Sequence, residues 1–224
     1  MDEKIFRQEY EGSFEAFDGL AYHGAHEANY IDGYKINPKE PIIVGMDFNY
    51  SPMCSVLLQK TIINGKPKVV AFKANAFQNC STEAACQRII DETGSQFRYI
   101  VYYDATAKDR HSHGVGETDL AIIKTEFGRS GGVWLRARSA NPKRKDRLNA
   151  VNAMLRNAAG EARLLIVRSQ CRPLVNDFEK CGMEEFLNGH FKDPNLGHAS
   201  DGLGYFLEYD YSITGGDYSA LTRM

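Results

Sequence analysis

The sequence lacks the features that mark membrane, secreted and zinc-finger proteins. Its 224 residues contain no apolar run near the roughly 18 residues that a membrane-spanning helix needs, and the charged opening MDEKIFRQEYEG is unlike a signal peptide. The five cysteines form no CxxC pair and leave one over, so neither a zinc site nor a disulfide framework is indicated. We therefore expect an intracellular chain with reduced thiols and no membrane partner.

A nucleotide-binding P-loop is also missing, because the pattern GxxxxGK[ST] occurs nowhere in the sequence. The composition is otherwise that of a folded domain, with 43% hydrophobic and 25% charged residues. A chain of this length supports one sizeable core. These features exclude a disordered chain and leave the class of function open.

Charge is distributed unevenly along the chain. The net charge is −2, yet residues 1–40 carry nine acidic and four basic side chains, and residues 136–147 carry six basic side chains against Asp146 alone. Two glycines precede the basic stretch and Pro142 interrupts it, which predicts a projecting turn. Such a turn is either a solvated face or a contact for phosphate groups. In the second interpretation the contacting side chains would be Lys143, Arg144, Lys145 and Arg147.

The pattern of the chain changes near Pro41. Residues 1–40 lack sustained periodicity and end in NPKEP, so we interpret them as a leading segment or linker, and residues 41–224 as the domain. Three apolar runs follow, IIVGMDF, SVLLQKTII and KVVAFKA, and the Asn-Gly turn between the second and third predicts a hairpin. The three runs therefore predict an antiparallel meander.

Helical and strand patterns alternate downstream of the meander. STEAACQRIIDETG (81–94) has the start, spacing and closing glycine of an amphipathic helix, and YIVYYD (99–104) reads as a fourth strand. The order predicts an α/β fold whose mixed central sheet combines the antiparallel meander with parallel strands and carries helices on both faces. The first helix would return the fourth strand parallel to the first strand. Further helices are predicted at 118–128, 144–160, 172–181 and 198–209, with short strands at 132–137 and 163–167.

Two of the predicted strands run straight into an aspartate. Asp47 ends the first strand and Asp104 the fourth, so parallel neighbours would hold the two residues at the same sheet end, roughly 5 Å apart at the backbone. Each aspartate alone could simply start a turn or cap a helix. Two close carboxylates repel, however, and a fold that holds them together must neutralise their charge with a proton or a cation. A hard divalent cation is the simplest occupant.

A third group of candidate ligands lies near the carboxyl end of the sequence. In GHASDGLGY (197–205), His198 and Asp201 are three residues apart on a predicted helix and so share a face. The alternative is that His198 is an exposed first-turn residue and Asp201 a favourable charge at a helix N-terminus.

The sequence resembles a known family over about residues 41–210. Four segments, in order along the chain, resemble the nuclease domain of the large terminase subunit of tailed bacteriophages. They are IIVGMDFNYSPM, YIVYYDATAKDR with the following TDLAII, NPKRKDRLNAVNAMLRNAAGEARLLI, and HASDGLGYFLEY. FRQEYEGSFEAFDG resembles the stretch that leaves the ATPase domain in those proteins. The resemblance implies an RNase H-like fold that cuts double-stranded DNA with acidic residues that bind divalent metal. It assigns those ligands to Asp47, Asp104 and Asp201, and His198 matches a position that contributes in some members.

The sequence departs from the family pattern in one respect. The complete subunit carries an ATPase domain with a Walker A loop, and that loop is missing here. We therefore expect an excised or separately encoded nuclease domain. The resemblance implies that it works in the cytoplasm of the infected bacterial host, beside an ATPase domain, a portal and a small terminase subunit.

The mechanism expected from this resemblance is two-metal hydrolysis of a DNA phosphodiester. Asp47 would bridge two divalent cations, Mg²⁺ or Mn²⁺, with Asp104 and Asp201 each binding one of them. His198 would favour Mn²⁺, since imidazole suits softer ions. The basic stretch would hold the duplex without reading its sequence.

Three other interpretations remain open. A resolvase or integrase of the RNase H-like type would share the three acids but prefer another DNA shape. An actin-like ATPase half-domain would need glycines and hydroxyls after the first aspartate, where FNYSPM stands instead. A DNA-anchoring module of a packaging complex would use the carboxylates only structurally.

Overall fold

A seven-stranded sheet forms the centre of the protein, and helices cover both of its faces. The structure is a computed structural model that describes residues 19–49, 51–108 and 117–213. The strands are β1 (Tyr30–Ile31), β2 (Ile42–Asp47), β3 (Met53–Ile63), β4 (Lys66–Phe77), β5 (Tyr99–Tyr103), β6 (Val133–Arg136) and β7 (Leu164–Val167). The helices are α1 (Thr82–Thr93), α2 (Asp119–Gly128), α3 (Arg144–Leu155), α4 (Arg172–Lys180), α5 (Met183–Asn188) and α6 (His198–Tyr211).

The order of the strands in the sheet is β1-β7-β4-β3-β2-β5-β6. β2, β3 and β4 are antiparallel neighbours, while β5 lies parallel to β2 and β6 parallel to β5. On the other side, β7 lies parallel to β4 and β1 parallel to β7. The α/β class, the mixed sheet and the parallel return of the fourth predicted strand are thus confirmed.

Local sequence explains the central hairpin and the crossover helix. Asn64 and Gly65 both have positive φ, as the tightest hairpin turn requires, and they join β3 to β4. The hydroxyl of Ser81 accepts a hydrogen bond from the Ala84 amide at 3.0 Å, which satisfies one of the free donors at the start of α1.

Alternate residues of the central strands face two separate layers of the core. Ile43 of β2 and Val56 of β3 pack in the layer that contains α3, α4, α5 and α6. Ile42 and Val44 of β2 pack in the layer that contains α1 and α2. β2 is buried along its whole length, so its carboxyl end emerges from the middle of the molecule.

One predicted boundary is wrong, and the leading segment adds an unpredicted strand. The helix predicted at 144–160 ends at Leu155, because Arg156 is extended and the Asn157 side chain accepts from the amides of Ala159 and Glu161, which stabilises a turn. Residues 19–40 were predicted to be linker, yet Tyr30–Ile31 pairs with β7. The domain boundary at residue 40 stays a prediction, and residues 1–18 lie outside the described residues.

The described residues bear on two features expected from composition, membrane spans and cysteines. No helix there is long and apolar enough to cross a membrane. The cysteines are buried and form no disulfide within the described residues, and their reduced state stays a prediction: Cys54, Cys80, Cys86, Cys171 and Cys181.

Candidate active site

The carboxyl ends of β2 and β5 carry the first two predicted ligands. Met46 pairs with Tyr103 in the parallel ladder, so Asp47 and Asp104 follow on adjacent strands at the same end of the sheet. Asp47 is buried, whereas Asp104 is partly exposed. The expected juxtaposition of two strand-end aspartates is therefore present.

A backbone contact brings Asp201 to the same end. α6 lies directly against β2, and a methyl group on Gly45 would stand only 2.2 Å from the Gly202 carbonyl oxygen. The reverse contact is also close, since a methyl group on Gly202 would stand 2.9 Å from the Gly45 carbonyl oxygen. Only paired glycines permit this approach, which places Asp201 one residue from the contact and close to the end of β2.

Asp201 is paired with a buried arginine. Arg147 Nη2 donates to Asp201 Oδ1 at 2.8 Å, and the Arg147 guanidinium lies 4.7 Å from the ring centre of Tyr205. Burial raises the pKa of the Asp201 carboxyl, the charge of Arg147 lowers it, and the charge of Asp47 raises it further. The Arg147 side chain is only 6% exposed. The prediction that Arg147 presents its charge to DNA at the surface is thus corrected, because that charge is used inside the protein.

Asp47 contacts two neutral or cationic donors. Asn49 Nδ2 donates to Asp47 Oδ2 at 2.7 Å, and His198 Nδ1 lies 2.8 Å from the same oxygen. His198 Nε2 lies 3.0 Å from the Pro194 carbonyl oxygen. His198 Nδ1 also lies 3.0 Å from Asn49 Nδ2, and the hydrogen bond to Asp47 raises the pKa of His198 despite its partial burial. His198 therefore stands beside Asp47, and its role as a metal ligand stays a prediction.

Asp104 accepts hydrogen bonds from three residues, one of which, Asn141, belongs to the basic stretch 136–147. Asn141 Nδ2 donates to Asp104 Oδ1 at 2.8 Å, the Thr106 amide donates to the same oxygen at 2.6 Å, and the Tyr205 hydroxyl donates to Oδ2 at 3.3 Å. Burial raises the pKa of Asp104, but these hydrogen bonds outweigh it and leave that pKa below its usual value. The segment that precedes α3 is therefore fixed at the edge of the site.

The remaining basic side chains differ in their surroundings. Lys143 and Lys145 are exposed. Arg144 is half-buried, donates to the Phe186 carbonyl oxygen at 3.2 Å, and lies 3.8 Å from Asp201 Oδ2. Lys143 and Lys145 are thus the predicted DNA-binding residues whose charges face solvent most freely.

The Tyr205 hydroxyl donates to Asp104 and lies close enough to Asp47 and Asp201 to be affected by their charges. Burial raises the pKa of its hydroxyl, the charge of Arg147 lowers it, and the negative charges of Asp201, Asp47 and Asp104 all raise it. Sequence reasoning missed Tyr205, although its position four residues after Asp201 on α6 puts both on one helix face. Asn141 was missed as well, and no sequence pattern marks it.

The three carboxylates suit a divalent cation in their chemistry but not in their present positions. Three carboxylates are the hard oxygen ligands that Mg²⁺ and Mn²⁺ accept. Within the described ranges, however, no group of three or more His, Cys, Asp or Glu side chains stands close enough to hold a metal ion. The residues fit in chemistry, while their oxygens are engaged by Arg147, His198, Asn49, Asn141 and Tyr205.

Solved structures with the same fold are large terminases. The large terminase of a thermophilic bacteriophage matches with a TM-score of 0.62 and 16% identity, over 95% of this chain and 50% of that one. The P22 large terminase nuclease domain matches with a TM-score of 0.53 and 14% identity, over 85% of this chain and 90% of that one. The nuclease domain of the bacteriophage SPP1 large terminase, solved with bound Mn, matches with a TM-score of 0.54 and 14% identity, over 85% and 99%.

These likenesses establish the fold, which is that of the nuclease domain of large terminases, and so confirm the predicted RNase H-like architecture. The chain spans about half the length of the thermophilic phage terminase. No family model matches the sequence, and no relative was found among curated proteins. The assignment of function therefore depends on the site.

Proposed function

We propose that the chain is a metal-dependent endonuclease that cuts double-stranded DNA during viral genome packaging. The observation that supports the proposal is the position of three aspartates at one end of the sheet: Asp47 and Asp104 follow the adjacent parallel strands β2 and β5, and the Gly45–Gly202 contact puts the start of α6, with Asp201, against β2. In the described residues the three carboxylates do not form a ready metal-binding group, so metal binding would require their side chains to rearrange. The terminase nuclease fold supports the same reaction class.

Asp47, Asp104 and Asp201 are the residues that would hold the metal, with His198 as a further candidate. Two Mg²⁺ or Mn²⁺ ions held by these residues would supply a hydroxide nucleophile and would stabilise the leaving 3′ oxygen. The SPP1 neighbour, solved with bound Mn, supports a divalent metal in this fold.

The other residues of the site have positioning and charge-balancing roles in this proposal. Asn141 and Tyr205 fix the two oxygens of Asp104, and Asn49 and His198 fix Oδ2 of Asp47. Hydrogen bonds of this kind orient metal ligands and set their basicity. Arg147 balances the charge of Asp201, so that the buried Asp201 and Asp47 can lie near each other before any cation arrives.

Lys143 and Lys145 would contact the DNA backbone. Their segment is attached to the site through Asn141, so a duplex lying on these lysines would pass beside Asp104. Phosphate contacts of this kind position a duplex without reading its sequence. Arg144 lies between the lysines and would approach a phosphate only by leaving the Phe186 carbonyl.

The cellular setting is part of the proposal. The chain would act in the cytoplasm of the infected bacterial host, together with an ATPase domain, a portal and a small terminase subunit. The likeness to the thermophilic phage protein, which extends over about half of a large terminase, supports a partner ATPase domain.

Cleavage of supercoiled plasmid tests the proposal. The purified 224-residue chain is incubated with plasmid in Mg²⁺, in Mn²⁺ and in chelator, beside Asp47→Asn and the control Asp91→Asn, which removes an exposed carboxylate on α1. We expect nicked and linear products only with metal, unchanged cleavage by Asp91→Asn, and none by Asp47→Asn.

Other outcomes separate the alternatives. DNA binding without cleavage in any metal would favour an anchoring module. Strong preference for a synthetic four-way junction over linear duplex would favour a resolvase. Full activity of Asp47→Asn in saturating Mn²⁺ would contradict the assigned role of Asp47.

A further inference from the structure

A buried aspartate outside the proposed ligand set binds the start of α6. Asp177 lies on α4 and is 2% exposed. Its Oδ1 accepts the Gly197 amide at 2.8 Å, and its Oδ2 accepts the Ser200 amide at 2.8 Å. The carboxylate therefore occupies both donors with its two oxygens.

The start of α6 needs a remote acceptor, because its own sequence does not supply one. The first amides of a helix have no intrahelical partner and are usually satisfied by a side chain at the N-cap. The N-cap here is Gly197, with φ of 88°, and a methyl group on it would stand 2.4 Å from the ring of Phe191. A serine or aspartate at this position would not fit, and Asp177 takes over its function from a neighbouring helix.

The two amides bound by Asp177 flank the proposed ligands. Gly197 directly precedes His198, and Ser200 directly precedes Asp201. Holding both amides fixes the rotation of the first turn of α6 about its axis, and this rotation decides where the two ligand side chains point. The Gly45–Gly202 contact fixes only how closely the helix approaches β2.

We propose that Asp177 is a positioning residue for the metal site, which orients His198 and Asp201 towards Asp47 through the backbone of α6. The inference rests on the proposed metal-dependent function. Burial raises the pKa of Asp177 to about 6, while the hydrogen bonds from Ser200 and Gly197 and the charge of His198 oppose this rise.

The test measures how tightly the Asp177→Asn variant binds Mn²⁺. The readout is the electron paramagnetic resonance signal of the Mn²⁺ that remains free. Asparagine offers one oxygen, and its amide nitrogen would face the second backbone donor. Loss of outer hydrogen bonds that orient metal ligands typically weakens metal affinity roughly 10–100-fold, and we expect a loss in that range. Circular dichroism fixes a temperature at which the variant is fully folded.

A second readout separates positioning from general damage. If Asp177 sets ligand geometry, cleavage by Asp177→Asn falls at low Mn²⁺ and recovers substantially at saturating Mn²⁺. At the temperature at which circular dichroism shows the variant fully folded without metal, such a recovery cannot come from metal-driven refolding. The matched control is Asp119→Asn. Asp119 is also buried, with 1% exposure, but it lies in the first turn of α2 in the opposite layer of the core, where it accepts a hydrogen bond from Thr82 Oγ1. The Mn²⁺ affinity of this variant should equal that of the wild type.

The outcomes distinguish this inference from the proposed function. Wild-type affinity in folded Asp177→Asn would overturn the positioning role and leave the nuclease proposal intact. A wild-type chain that binds no Mn²⁺ would overturn the nuclease proposal itself. If Asp177→Asn does not fold, Ser200→Ala is measured instead: it removes the hydroxyl that donates to the Gly197 carbonyl in the same turn and should weaken Mn²⁺ binding severalfold, and unchanged affinity would overturn the inference.

Discussion

Replacing Gly45 by alanine tests how the site is assembled. The added methyl group would meet the Gly202 carbonyl oxygen at 2.2 Å, which is about 1.2 Å short of the 3.4 Å at which ordinary contact begins. The obstacle is backbone and not the end of a flexible side chain, so α6 must move away from β2. Asp201 would move with it, away from Asp47.

The expected magnitudes differ for stability and for activity. Overpacking a close contact costs about 1–3 kcal/mol, and alanine recovers about 0.5–1 kcal/mol over glycine in a strand, so we expect a net loss of about 1 kcal/mol. A domain with ordinary stability of about 5–15 kcal/mol stays folded after such a loss. Displacement of a catalytic group by about 1 Å, in contrast, can lower the rate roughly 100-fold. Cleavage should therefore fall far more than stability.

Urea unfolding and plasmid cleavage measure the two effects on one preparation. Gly202→Ala is the intermediate case, with a contact of 2.9 Å, and Gly128→Ala at the end of α2 is the control, since a methyl group there meets no atom within 4 Å. We expect the damage to decrease in that order. Wild-type unfolding free energy and cleavage by Gly45→Ala would refute the account of how Asp201 reaches the site.

Two further predictions concern the cations around the site. Replacing Lys143 and Lys145 together by alanine should lower the slope of log affinity against log salt by roughly 0.9 for each phosphate that the protein no longer neutralises, measured by fluorescence anisotropy on a duplex, and an unchanged slope would place the DNA path elsewhere. Arg147→Met should destabilise the fold by about 3–5 kcal/mol, because Asp201 loses its buried partner. Mn²⁺ should raise the melting temperature of this variant more than that of the wild type, and an equal rise would count against Asp201 as a ligand.

The fold was predictable where local sequence and tertiary structure agree. Alternation and length indicated the central strands, Asn64–Gly65 indicated the hairpin, and Ser81 indicated the start of α1. β1 and α5 were not predicted, because two and six residues are too few to show a period. The insertion of β7 between β4 and β1 depends on packing between residues far apart in the chain, which no local pattern records.

Some residues of the candidate site could likewise be predicted from the sequence, and others could not. Asp47 and Asp104 were found because an apolar run that ends in a carboxylate is visible in one sequence, and the parallel crossover then places the two together. The role of Arg147 was not visible, since its distance of 54 positions from Asp201 is closed only when α3 packs on α6. Gly45 and Gly202 likewise carry no signal separately, because their importance lies in one contact between two backbones.

The arrangement of charge around the three acids indicates where a cation would be bound most strongly. Asp201 lies beside Arg147, whose guanidinium keeps its charge at any ordinary pH and so permanently offsets one carboxylate. Asp104 is held in the described residues by Asn141, Thr106 and Tyr205, which are neutral donors, so its negative charge remains available. Asp47 has His198 as its neighbour, and an imidazole ring, unlike a guanidinium, can exist without a proton and so without charge. If the chain binds a divalent cation as proposed, the adjacent ends of β2 and β5 would therefore attract it more strongly than Asp201, whose charge Arg147 already balances.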